Sequence, residues 1–123
     1  MSETVRVHVR YDLRDENNKT RRERNEQFGH ESPELKIPSA GRYLWDWYWE
    51  LSSGLIRIND GAVIPIPPSE VKAWVEITRN IVYPTEYAIL RAMDMAFCDE
   101  SAREVAAYRA RLDQKDGASG NVK

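Results

Sequence analysis

The chain has 123 residues, the size of one domain, with 18 basic and 20 acidic residues, two histidines and a single cysteine. A net charge of −2 argues against a nucleic-acid binder, and one cysteine excludes both an internal disulfide framework and a cysteine-built zinc finger. No apolar run reaches the roughly 18 residues of a membrane span, and Met1-Ser2-Glu3 opens without an apolar signal core, which points away from a membrane protein and from secretion.

The N-terminal segment over 1–38 carries eight basic and eight acidic residues. Within it, Val5, Val7, Val9, Tyr11 and Leu13 alternate with Arg6, His8, Arg10 and Asp12, so Thr4–Leu13 is expected to be extended and strand-forming if it finds a partner. From Asp15 to Gln27 the chain is almost wholly polar and suits either an exposed helix with i,i+4 charge pairs or disorder. The basic run Lys19, Arg21, Arg22 and Arg24 is offset by Asp15, Glu16, Glu23 and Glu26, which reads as a solvated face. Pro33 and Pro38 mark an extended linker.

A compact, mainly α domain of three to four helices is expected over 39–113. Ser39 is a candidate N-cap and Gly54 a stop for a first helix in which Leu44, Trp47, Tyr48 and Leu51 share a face. Leu55 to Pro67 suits a small hairpin about Asn59-Asp60-Gly61 or, because of Pro65 and Pro67, an irregular loop. Pro67-Pro68 opens a second helix with Val71, Trp74 and Val75 on one face, and Pro84-Thr85-Glu86 opens a third that buries Ile89, Leu90, Met93, Ala96 and Phe97. Asp99-Glu100-Ser101 is either a break or a polar turn before helix resumes to about Asp113. Residues 114–123 read as a disordered tail. Trp47, Leu51, Trp74, Leu90 and Phe97 are expected to be buried together.

The middle block, 39–100, holds all four tryptophans and has five basic against nine acidic residues, net −4; residues 101–123 have five against three, net +2. No spacing of His, Cys, Asp and Glu brings metal ligands together, and neither a phosphate-cradling glycine loop nor a nucleophile elbow is present, so no metal, cofactor or catalytic residue is expected. Asp46 and Glu50 stack at i,i+4 as a solvated stripe. Asp94, at the edge of an apolar face, is expected to pair with Arg91 or another arginine, or to bond a backbone group. Trp45 and Trp49 lie toward the edge of the first helix's apolar face and are the candidate partner-binding residues if the other helices leave them open.

Ser32-Pro33-Glu34-Leu35, Pro38, the run Tyr43-Leu44-Trp45-Asp46-Trp47-Tyr48-Trp49-Glu50-Leu51-Ser52, Ile66-Pro67, Glu70-Val71-Lys72-Ala73-Trp74, Pro84-Thr85-Glu86 and Leu90-Arg91-Ala92-Met93-Asp94 together resemble the tail assembly chaperones of long-tailed phages. The resemblance spans residues 26–98. It implies a non-enzymatic role in the cytoplasm of the infected bacterial host, with the tape measure protein and the tail tube protein as partners and self-association as a further possibility. It implies neither nucleic-acid nor membrane binding. A structural tail component retained in the virion, paired through a strand at Thr4–Leu13, and a small regulatory protein-binding module are the alternatives.

Overall fold

The computed structural model describes residues 1–14, 17–55, 57–59 and 61–120. Among them are five α-helices, a 3₁₀ turn and one two-stranded hairpin. The order is α1 (Ser2–Asp12), α2 (Arg21–Gln27), the turn Ser39–Gly41, α3 (Arg42–Ser53), β1 (Ile58–Asn59), β2 (Ala62–Val63), α4 (Pro68–Thr78) and α5 (Pro84–Gly120).

The expected strand at Thr4–Leu13 is a helix. The alternation that suggests a strand also contains the i,i+4 pair Val5 and Val9, and both are buried. Helix costs a β-branched residue at most about 0.7 kcal/mol, whereas burying a valine returns about 1.5–3 kcal/mol. Tertiary packing therefore decides: α1 lies along α5, where Val5 and Val9 join Leu44, Trp45, Tyr48, Leu90, Met93 and Ala96 in one core. Gly41 makes room for the start of α1, since a Cβ there would meet the Met1 Sδ at 2.8 Å.

Of the two readings of the polar stretch, the helix is present over Arg21–Gln27. Thr20 supplies a full capping box: its hydroxyl accepts from the Glu23 N–H at 3.0 Å, and the Glu23 carboxylate accepts from the Thr20 N–H at 3.3 Å. The chain then reverses at Gly29, in the left-handed region at φ 72°.

α3 begins at Arg42 after the 3₁₀ turn, so Ser39 starts that turn and does not cap the α-helix; Gly41 occupies the cap position. The hairpin pairs Ile58 with Val63 and Asn59 with Ala62, leaving a two-residue connection with Gly61 at φ 79°. Asp60 lies outside the described residues. The strand stops before Pro65, which has no N–H to continue the ladder.

α5 is one continuous helix of 37 residues, about 55 Å long, with no break at Asp99-Glu100-Ser101. Glu100 is buried and carries an ion pair to Arg103 at 3.3 Å. The helix also runs through 114–120, which composition assigns to a disordered tail; once a helix is nucleated each further residue adds its own hydrogen bond. The expected tail residues 121–123 lie outside the described residues. Of the expected core set, Leu51, Trp74 and Leu90 are buried, while Trp47 and Phe97 are half-buried and pack against the core from its edge.

Candidate functional site

Trp45 and Trp49 do not form an open patch. Trp45 is 7% exposed and Trp49 is half-buried. The His8 ring of α1 sits 5.5 Å from Trp45 and 5.0 Å from Trp49, and Phe97 of α5 stands edge-on 5.6 Å from Trp49. The expectation that they are open required the N-terminal segment to lie elsewhere as a strand. As a helix, that segment covers them.

The open apolar site lies on another side of α3. A groove of about 400 Å³ runs between α3, the proline-rich segment, α4 and α5. Its walls are Tyr48 and Leu51 from α3, Pro65, Ile66 and Pro67 from the connection, Pro68 and Val71 from α4, and Tyr87, Leu90, Arg91, Asp94 and Met95 from α5. Each element is in place for a local reason. Pro68 occupies the first turn of α4, where a missing N–H costs nothing. At the start of α5, the Glu86 carboxylate accepts from the Tyr83 N–H at 2.9 Å, and the Tyr43 phenol interacts with it as well. Both interactions hold Glu86 below the usual carboxylate range.

The groove rests on a buried polar network. Arg57 reaches from the base of the hairpin between α3 and α5, and its side chain and that of Asp94 are 7% and 8% exposed. The Arg57 guanidinium donates to the Asp94 Oδ1, to the Ser52 Oγ at 2.8 Å, to the Tyr48 Oη at 3.3 Å and to the Ile64 carbonyl at 3.0 Å, and it stacks 5.0 Å over Phe97. Asp94 also accepts from the Tyr48 hydroxyl at 2.9 Å and, through Oδ2, from the Ile66 N–H at 2.8 Å. That last bond fixes the proline-rich wall of the groove.

Burial pushes the Tyr48 phenol far above its ordinary value. Burial alone would weaken the charge on Arg57, but its bonds to Tyr48 and Asp94 and their charges outweigh it, so the guanidinium is held more firmly protonated. The Cys98 thiol, 3.6 Å from the guanidinium, is raised by burial and by the Asp94 charge. The Asp94 carboxylate thus holds three donors, one of them on a permanent cation. Among the described residues no group of His, Cys, Asp and Glu could hold a metal ion.

The sequence places Asp94 correctly as a partner for an arginine and a backbone N–H. It does not single out Arg57, whose only local signal is a lone charge within an apolar run. Asp46 and Glu50 are exposed, as expected, and Asp46 pairs with Arg42 at 3.4 Å.

α4 is the most loosely held element. Its one buried residue is Trp74, which meets Trp47 at 5.7 Å, and Trp47 in turn meets Tyr43 at 5.0 Å. Beyond this ladder Ile77, Ile81 and Tyr83 stand 80%, 72% and 63% exposed. No helix among the described residues is long and apolar enough to cross a membrane.

Fold and site together define a small helical domain with an open apolar groove. The family model described as phage tail assembly chaperone matches residues 19–99, and the chain belongs to that family. No curated protein and no solved structure matches it. The matched region takes in α2, α3, the hairpin, α4 and the first part of α5, and so the whole groove; α1 and the remainder of α5 flank it.

Proposed function

We propose that this chaperone is non-enzymatic and holds an apolar segment of the tape measure protein in the groove between α3, α4 and α5, releasing it as tail tube subunits assemble in the cytoplasm of the infected host. The observation that carries this reading is the groove itself. It is open and lined by aliphatic, proline and aromatic side chains together with Arg91 and Asp94, and the buried Asp94 is already paired with Arg57. The exposed Ile77, Ile81 and Tyr83 extend the apolar surface beyond it. The net −4 of residues 39–100 favours a client with basic character.

Reading the protein as a tail component retained in the particle drew on a strand at Thr4–Leu13; that segment is a helix packed on α5, and the support is gone. Co-expression with the tape measure protein tests the proposal. Val71→Glu and Met95→Glu, which charge the groove walls, should abolish co-purification and leave the melting temperature within a few degrees of the parent. Capture that survives both substitutions would move the client to another surface. Mass spectrometry of purified particles should find the protein absent or strongly substoichiometric.

A further inference from the structure

We propose that the groove between α1, α2 and the second half of α5 is a second docking site, and that it takes an acidic, amphipathic segment of a protein partner. Two adjoining cavities of about 480 and 310 Å³ share Arg21, Arg24 and Arg111 as lining, and Arg10 and Arg14 join them along the larger one. Five arginines thus face one groove on a chain whose net charge is −2. Among the described residues Glu104 is the one carboxylate in its lining, committed to Arg21 at 2.9 Å, and Arg14 pairs with Glu23 at 3.4 Å.

The groove floor is apolar. Leu13, Ile58 and Tyr108 line it and Phe28 closes its far end, all four at least one-third exposed. The Arg111 guanidinium carbon lies 5.9 Å from the ring centre of Tyr108 in the same lining, and that of Arg10 5.5 Å from the ring centre of Tyr11 beside it in sequence.

Arginine forks match carboxylates two bonds at a time, and a rim of them selects negative charge. The exposed leucine, isoleucine and aromatic rings between the forks call for apolar side chains from the same ligand. A small anion would leave that floor uncovered. A nucleic acid would answer the arginines but carries no aliphatic side chains to cover Leu13 and Ile58. A peptide segment alternating acidic and apolar residues satisfies both the rim and the floor.

Most of this lining lies on α1 and on α5 beyond residue 99, outside the stretch that the family model matches. The site is therefore distinct from the apolar groove and does not depend on what that groove holds.

The test uses the full chain and a fluorescein-labelled helical peptide of leucine and glutamate, read by fluorescence anisotropy. The comparison probes are the same peptide with lysine for glutamate, one with serine for leucine, and a thymidine oligonucleotide. The leucine–glutamate peptide should bind, and each of the other three should bind at least roughly tenfold more weakly. The double variant Arg10→Glu/Arg111→Glu should weaken the leucine–glutamate peptide by roughly tenfold or more while retaining capture of the tape measure protein. Arg10→Gln/Arg111→Gln, which removes charge without reversing it, should show a smaller loss in the same direction. Failure of the leucine–glutamate peptide to bind, equal binding of the oligonucleotide, or unchanged affinity in the glutamine variant would each overturn the proposal.

Discussion

The two halves of this molecule use arginine in opposite ways. In the half built around the apolar groove, one arginine is buried and wholly spent: Arg57 meets Asp94, Tyr48, Ser52 and a backbone carbonyl, and ties the hairpin to two helices. In the other half, α1, α2 and the end of α5 carry arginines whose ion pairs are half-exposed, such as Arg22–Asp12 at 2.8 Å and Arg21–Glu104 at 2.9 Å. A buried ion pair repays its desolvation only when every donor finds a partner, so the first arrangement is rigid and chemically closed. The second leaves guanidinium groups facing solvent. One half builds a wall, and the other offers a surface.

Breaking the buried pair should produce the largest effect. Asp94→Ala strands the Arg57 guanidinium between α3 and α5, frees the Tyr48 hydroxyl, and releases the Ile66 N–H that holds the groove wall. The expected loss is about 3–5 kcal/mol in urea unfolding. Arg22→Ala, at the half-exposed pair between α2 and α1, should cost about 1 kcal/mol in the same experiment. Equal losses would erase the contrast between the two halves.

The next contrast lies within α3. Trp45 is sealed beneath α1, whereas Trp47 sits in the edge ladder with Tyr43 and Trp74. Trp45→Ala should cost about 3–5 kcal/mol, and Trp47→Ala about 2 kcal/mol, since part of its cavity can fill with water. A reversed order would mean that α4, and not α1, is the element that completes the core.

Local signals made α3, α4 and α5 legible. Proline at 68 and 84, apolar residues at helical spacing, and Asp60-Gly61 between two short apolar stretches each carry their meaning within a few residues. α1 is not legible as a helix because Val5 and Val9 satisfy both the strand period and the helix period, and only the neighbouring α5 decides between them. The burial of Trp45 and Trp49 depends in turn on where this N-terminal segment lies. Arg57 and Asp94 stand 37 residues apart, and their pairing is a product of the fold. So is the groove, whose walls come from three separate stretches of chain.

α1 also gives the fold a pH dependence. His8 is wedged against Trp45 and Trp49, and burial lowers its pKa below the ordinary 6.5, opposed in part by the charge of Asp12. The unfolded chain therefore binds a proton at His8 more readily than the folded one, and stability rises with pH through that window. Stability should be full above pH 6.5 and fall as pH drops from there toward the lowered folded value. His8→Phe should flatten this component of the melting-temperature profile. A profile unchanged by the substitution would show that the imidazole is solvated in the folded state.

The smallest effect is expected on α4, where Lys72 and Glu76 form an i,i+4 pair at 4.0 Å with side chains 79% and 65% exposed. Such pairs contribute a few tenths of a kcal/mol at best, the order lysine before glutamate is the less favourable one, and salt screens what remains. Lys72→Ala should therefore shift the urea midpoint by no more than about 0.3 kcal/mol, and by less still in high salt. The measurement matters because α4 hangs on the body through Trp74, with no buried charge to brace it. A loss above about 1 kcal/mol would mean that surface charge does hold α4 in place. The apolar wall that Val71 contributes would then be as firmly set as the one fixed by Asp94, and the groove could not widen around a client by tilting α4 alone.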